Sequence, residues 1–310
     1  MLTPVDIGVR IFAHHLARTG RQPDARPEVD TATLRQRRPH LAAVEITDAA
    51  IAGPHGGVPA RQYRMPGQDA RSALVWLHGG AFVSGDLDMP ESNWVALELA
   101  AHGIPVLAVD YRKALRGVRH PVPSDDIRAA WLHATAHADE LFGVDAARVH
   151  LGGASAGGAI VAGVTLRTRD EDGPAPASLL LAYPMLHPYL PPTTAATLAL
   201  TKKLPARMRF RPSIVRAFAK HYAGRAGVRD PYAFPGVADD LHDWPPTYIL
   251  VAMIDELRAS GDLFAQQLRA AGASIVLFAE RSATHGHLNY PEAASAQRSI
   301  TRLAEWIDAH

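Results

Sequence analysis

The sequence predicts an α/β fold in which a mostly parallel sheet is covered by helices. Three observations predict it. Short apolar runs recur at residues 73–77, 104–109, 148–151, 179–183, 247–252 and 274–278, the pattern of strands buried on both faces. Stretches with helical periodicity lie between these runs. One run passes through a tight glycine-containing turn, residues 152–158, straight into an Ala/Val-rich helix.

Taken in order, residues 1–40 open with an amphipathic stretch (Val5, Val9, Phe12, Leu16) followed by Pro and Arg. Residues 44–51 and 60–65 read as two early strands, divided by the turn-rich stretch 53–59. A helix is predicted over 124–141. Ser124 serves as its N-cap, Asp125 and Asp126 suit the first turn, and Gly143 lies just past its end. Ile127, Trp131, Ala134, Ala138 and Leu141 share its apolar face. A second clear helix covers 292–307, with Ala296, Ile300, Leu303 and Ile307 in a stripe. Residues 187–240, rich in Pro, Arg and aromatics, interrupt the alternation. No repeat of solenoid period is present. The expectation is a single domain over 1–310, with about 1–40 and 187–240 forming a helical cap over one end of the sheet.

Composition narrows the function. Of 310 residues, 47% are hydrophobic, enough to bury a sizeable core. The 32 basic and 31 acidic residues nearly balance, which gives no sign of a nucleic-acid partner. The local clusters Arg35, Arg37, Arg38 and Arg207, Arg209, Arg211 read as solvated faces. The absence of cysteine excludes disulfides, thiolate metal sites and a cysteine nucleophile, and fits a cytoplasmic protein. Neither a signal peptide nor a membrane span is expected.

The chemistry concentrates in four places. Gly153-Ala154-Ser155-Ala156-Gly157-Gly158 follows a strand and opens a helix, the context of a nucleophile elbow. So sharp a turn needs glycine two residues either side of the serine, and it sets Ser155 at a helix N-terminus. His78-Gly79-Gly80-Ala81-Phe82 also follows a strand, and its small residues expose backbone N–H groups of the kind that stabilise an oxyanion. Ala156, next after the serine, would add another such donor. Asp255 follows one late strand and His285 the next, in the order that a Ser–Asp–His triad takes in this kind of sheet. Their neighbours Glu256 and His287 are the competing choices. Asp255 is preferred because it comes first after its strand, and His285 because a glycine follows it.

On these motifs the chain resembles the hormone-sensitive-lipase family of esterases and lipases (bacterial family IV). Asp110-Tyr111-Arg112, Tyr183-Pro184, Asp255-Glu256-Leu257-Arg258 and His285-Gly286 extend the match over about residues 60–290. The resemblance implies an α/β-hydrolase fold with an eight-stranded, mostly parallel sheet and a helical cap. It implies hydrolysis of short- to medium-chain carboxylic esters without metal or cofactor, and homodimers are common in the family. It carries over Ser155, Asp255 and His285 as the triad, and Gly79, Gly80, Ala81 and Ala156 as the oxyanion region. Four positions depart from the family pattern. Ala81 stands for a third glycine, Ala154 for a common acidic residue, and His287 for a common phenylalanine. Lys113-Ala114-Leu115-Arg116-Gly117 replaces the usual continuation through Ala-Pro-Glu.

Other readings remain open at this stage. An amidase, lactonase or peptidase could use the same triad. The fold also serves as a small-molecule receptor where the histidine is lost, but here His285 is present. His133 and His137, spaced i, i+4, lack the carboxylate of a zinc-protease motif. Trp94, Trp131, Trp244 and Trp306 read as packing residues. Phe12, Leu16, Met208, Phe210, Phe218 and Tyr222 are candidates either for an acyl pocket or for cap packing.

Overall fold

The computed structural model describes residues 3–19 and 30–310; residues 1, 2 and 20–29 of the expected cap segment lie outside this description. Eight strands form one sheet: β1 (Glu45–Ile51), β2 (Val58–Arg64), β3 (Ala73–Leu77), β4 (Val106–Val109), β5 (Val149–Ala154), β6 (Leu179–Ala182), β7 (Thr247–Ile254) and β8 (Ile275–Thr284). Their order is β1-β2-β4-β3-β5-β6-β7-β8. The pairs β1–β2 and β2–β4 are antiparallel and the rest parallel. This is the fold class that the alternating runs predict.

The central strands sort their side chains by the two-residue period of a pleated strand. Ala73, Val75 and Leu77 enter one core, whereas Leu74 and Trp76 enter the other. Helices cover each face. On the first lie α4 (Val122–Ala136), α6 (Ala156–Asp170) and α9 (Arg258–Ala270), through residues such as Trp131, Ile160 and Phe264. On the second lie α3 (Pro90–Ala101) and α10 (Ala294–Ala309), through Trp94, Leu97, Ile300 and Leu303. Helix α3 is buried along nearly its whole length, from Pro90 to Ala100, so its two glutamates are buried as well.

The expected cap segments divide. Helix α1 (Pro4–Thr19) packs against α8 (Pro212–Gly227), with Val9, Ala13 and Leu16 buried. Helix α2 (Thr31–Arg37) instead packs on α3, because Leu34 and the nearby Leu41 belong to the second core. The short α7 (Ala195–Thr201) lies against β7.

Several predicted boundaries shift, three of them instructively. The helix expected over 124–141 begins at Val122, where Pro123 suits the first turn, and breaks at His137 into α4 and α5 (Ala138–Phe142). Ser124 is therefore no N-cap; its hydroxyl lies inside the helix, 3.1 Å from His120 Nδ1 and 3.0 Å from the Tyr222 hydroxyl. The last strand runs on past residue 278 to Thr284, because its pairing with β7 continues across an irregularity near Ala252–Ile254. The early strand predicted at 60–65 starts at Val58, which is fully buried.

Among the buried histidines, three each lie within hydrogen-bond distance of one serine hydroxyl: His150 with Ser178, His187 with Ser260 and His287 with Ser299. Burial pushes the imidazolium form of each down to a pKa of about 4. An unfolded histidine titrates near 6.5. The unfolded chain thus takes up protons on these rings between about pH 6.5 and 4, whereas the folded chain does not. Stability should be fully present above about pH 7 and decline through that window, with a slope of up to about 4 kcal/mol per pH unit. Urea unfolding at about pH 7.5 and pH 5 checks this, and His150→Gln should flatten the decline.

Candidate active site

The site grows out of the end of β5. Ser155 follows the strand at φ 52° and ψ −114°, a strained backbone for a non-glycine residue, and α6 begins at the next residue. The reason for both flanking glycines is steric. A Cβ on Gly157 would lie 2.4 Å from the His78 carbonyl oxygen, and one on Gly153 would lie 2.8 Å from the Gly157 carbonyl oxygen. Strand β5, the elbow and the loop after β3 are therefore in contact at backbone level.

Ser155 Oγ lies 2.9 Å from His285 Nε2, and His285 Nδ1 lies 2.7 Å from Asp255 Oδ2. A carboxylate only accepts, so Nδ1 carries the proton and Nε2 is left to accept from the serine hydroxyl. Asp255 is buried, and its second oxygen accepts the Leu257 N–H at 2.9 Å. The three residues come from the ends of β5, β7 and β8, which are neighbours in the sheet through β6. The two competing residues point elsewhere. His287 faces Ser299 on α10. Glu256 accepts from Arg209 Nε at 3.0 Å and from the Phe210 N–H at 3.1 Å. Glu256 thereby fastens the segment before α8 over the site, where the Phe210 ring lies 4.5 Å from that of His285.

The loop after β3 carries the other predicted residues. Gly80, Ala81 and Phe82 all have positive φ, at 106°, 52° and 66°. Glycine is required at 80, where a Cβ would meet the Ser84 carbonyl oxygen at 2.0 Å. Among the described residues, the N–H groups of Gly80 and Ala81 have no acceptor within the protein, and Ala156 begins α6, where helical N–H groups lack partners. Gly79 differs from this expectation. Its N–H donates to Glu91 Oε2 at 2.7 Å, so it is already engaged and offers nothing to a substrate oxygen.

The Asp-Tyr-Arg signature divides its work around this loop. His78 Nδ1 donates to the Gly79 carbonyl at 2.7 Å, and its Nε2 lies 2.9 Å from Asp110 Oδ1. Burial raises the pKa of Asp110, but the bonds from His78 and Lys113 outweigh it and hold the carboxyl below the usual range. The Tyr111 hydroxyl donates to the Gly79 carbonyl at 2.9 Å, and its ring stacks on His78. Arg112 pairs with Asp126 and reaches the turn between β1 and β2 at His55 and Gly57. Lys113, at one of the positions that depart from the family pattern, pairs with Asp110 and sits 4.4 Å above the Tyr111 ring. Ala154, another departure, is buried in the second core.

Among the six candidate pocket residues, Phe210 borders His285. Tyr222 instead stacks on Phe82 with ring centres 3.9 Å apart, which packs α8 against the loop after β3. The His133 and His137 rings lie 4.6 Å apart, and among the described residues no group of three or more His, Asp or Glu could hold a metal ion. None of the described helices is long and apolar enough to cross a membrane.

A mostly parallel sheet with a strained serine between strand and helix, and a histidine and carboxylate at later strand ends, defines the α/β hydrolase class. Comparison with known proteins agrees. The profile of the alpha/beta hydrolase fold family matches residues 74–289, and the chain belongs to that family. It is 37% identical to the carboxylic ester hydrolase LipN of Mycobacterium tuberculosis over 79% of this chain and 65% of LipN. It is 33% identical to the esterase LipI of the same organism, over 86% of this chain and 82% of LipI. Among solved structures, an esterase from Pyrobaculum calidifontis superposes with a TM-score of 0.77 at 26% identity, covering 92% of this chain and 94% of that one.

The contact at the elbow has a direct consequence. Gly157→Ala must push the loop after β3 away from Ser155, at a cost of about 1–3 kcal/mol in stability. The same shift should slow labelling of Ser155 by a fluorophosphonate by at least about tenfold. Urea unfolding and timed labelling followed by mass spectrometry read the two effects.

Proposed function

We propose that this protein is a carboxylic ester hydrolase of the hormone-sensitive-lipase type that works through an acyl-enzyme on Ser155. The observation that carries the reading is the unbroken hydrogen-bonded chain from Ser155 through His285 to Asp255, beside loop amides that have no acceptor of their own. His285 Nε2 takes the Ser155 proton as Oγ attacks the ester carbonyl carbon. The amides of Gly80, Ala81 and Ala156 receive the oxyanion. Asp255 holds the imidazole in its reactive tautomer and stabilises the imidazolium. The tetrahedral intermediate collapses, the C–O bond to the alcohol breaks, and His285 gives that oxygen its proton. Water, deprotonated by His285, then attacks the acyl carbon; the second intermediate releases the acid and returns the proton to Ser155.

In this reading α1, α7, α8 and the segment around Phe210 act as the cap that admits the acyl chain, and the substrates are esters of short- to medium-chain acids. The names of LipN and LipI support the ester preference.

p-Nitrophenyl esters of increasing acyl length, assayed beside variants, test the reading. Ser155→Ala and His285→Ala should each lower kcat on the order of 10,000-fold or more, and Asp255→Asn by somewhat less. Turnover that survives Ser155→Ala would sink the mechanism. Faster turnover of amides or lactones than of any linear ester would move the substrate class and keep the triad.

A further inference from the structure

Glu91 is a buried acid that ester hydrolysis does not itself require. It lies in the first turn of α3 and is almost wholly inaccessible to solvent. Three donors meet its carboxylate. The Gly79 N–H reaches Oε2 at 2.7 Å, the Tyr183 hydroxyl reaches Oε1 at 2.7 Å, and the Asn289 side-chain amide reaches Oε1 at 3.1 Å. None of the three is a cation, so this carboxylate is held by neutral hydrogen bonds. Those bonds must offset its desolvation, a costly arrangement for a group that only fills space.

Each donor stands beside a different part of the site. Gly79 directly precedes Gly80 and Ala81, the two loop residues whose amides are free. Tyr183 follows β6 at a positive φ of 38°, and its ring meets His285 edge-on with centres 5.0 Å apart. Asn289 also donates to the Gly286 carbonyl at 3.1 Å, immediately after His285. Space for anything else at this point is absent. A Cβ on Gly79 would lie 2.7 Å from Glu91 Oε2 and 3.0 Å from Ser155 Cβ.

We infer that Glu91 is a positioning residue whose carboxylate locks the oxyanion loop and the His285 loop into one register around Ser155. The inference rests on the ester-hydrolase reading for its rate effect, and on these hydrogen bonds for its geometry. Charge matters because of valence. A carboxylate accepts all three bonds at once, whereas a glutamine in the same place turns an NH2 toward at least one of the donors. Placing that NH2 against Asn289 forces the asparagine to rotate and release Gly286; placing it against Gly79 pushes the loop and tilts the Gly80 and Ala81 amides. Either displacement acts where charge develops in the transition state and leaves ground-state binding of the acyl group nearly alone.

The test compares Glu91→Gln with Glu98→Gln, a control that removes another buried carboxylate of α3, one bound to Trp94, Arg38 and His40. Both enzymes are assayed for kcat and KM on p-nitrophenyl butyrate and for inhibition by a trifluoromethyl ketone, which forms an oxyanion on the serine. Glu91→Gln should lower kcat by about 10- to 100-fold, leave KM within about threefold, and weaken ketone binding by the same factor as kcat/KM. Glu98→Gln should lower the melting temperature and keep the wild-type kcat. Wild-type kcat in Glu91→Gln, or a fall in kcat without weaker ketone binding, overturns the inference. So does an equal fall in Glu98→Gln. If Glu91→Gln does not fold, Tyr183→Phe and Asn289→Ala decide. Each removes one donor and should lower kcat about 3- to 10-fold at unchanged KM and circular dichroism; wild-type rates in both overturn the inference. A wild-type enzyme that cleaves no ester but is labelled at Ser155 by a fluorophosphonate would defeat the ester reading alone. Glu91 would then be judged by the labelling rate of its variant.

Discussion

Everything in the site depends on one steric constraint, the contact between the serine elbow and the loop after β3. The backbone of Gly157 reaches the His78 carbonyl so closely that not even a methyl group fits between them. That closeness sets Ser155, at the start of α6, against the turn that carries Gly80 and Ala81. It also explains why strained backbone persists on both sides of the contact, at Ser155 and at Ala81 and Phe82. Such conformations are held in place by the surrounding packing. Here the packing is the fully buried central strands, each contributing to two cores.

The sheet was legible because its strands are short, apolar and bounded, and because a parallel strand buried on both faces leaves that trace in any sequence. The helix expected to start at Ser124 was misplaced by two residues. A serine before two aspartates looks like a cap, and what moved the start was a proline one turn position earlier and a tertiary partner, Tyr222, nearly a hundred residues away. Ser155, Asp255 and His285, which the structure brings into one hydrogen-bonded chain, could be singled out because each follows a strand directly, so local order along the chain carries the information. Gly79 was over-read for the same reason. A glycine-rich loop announces exposed amides, but only the fold reveals that one of them is taken by Glu91.

The residues that sequence reasoning missed share a physical character. Glu91 and Asn289 act through contacts between separate segments, 91 with 79, 183 and 289, and the roles of Glu256 and Tyr183, residues already singled out by motif, rest on the same kind of pairing, 256 with 209 and 183 with 91. No periodicity or spacing encodes these pairings. The sequence offers a signal only for Glu98, which sits inside the apolar run of residues 94–101 where an unpaired acid is expensive; Glu91, between Pro90 and Ser92-Asn93, has none. The Tyr183-Pro184 and Asp110-Tyr111-Arg112 motifs were visible as signatures without roles. In the structure both supply donors or acceptors that hold the two loops around Ser155.

Acids therefore crowd the proposed catalytic centre: Asp255 and Glu256 side by side after β7, Glu91 beside Gly79, and Asp110 behind His78. Crowding of this sign would oppose an oxyanion if field strength alone mattered. Distance and direction resolve the conflict. In the proposed mechanism a positive charge forms on His285 in the same step that a negative charge forms on the substrate, and Asp255 touches the ring that would become positive. Glu91, Glu256 and Asp110 are each engaged by donors, so much of their field is spent on fixed hydrogen bonds. The proposed oxyanion would be met at short range by N–H dipoles of the loop and of the α6 terminus, where fixed orientation outweighs net charge. On the proposed reading, buried carboxylates serve this site as rigid acceptors that keep the N–H groups aimed. That reading leaves the proton-transfer chemistry to the single pair of Asp255 and His285.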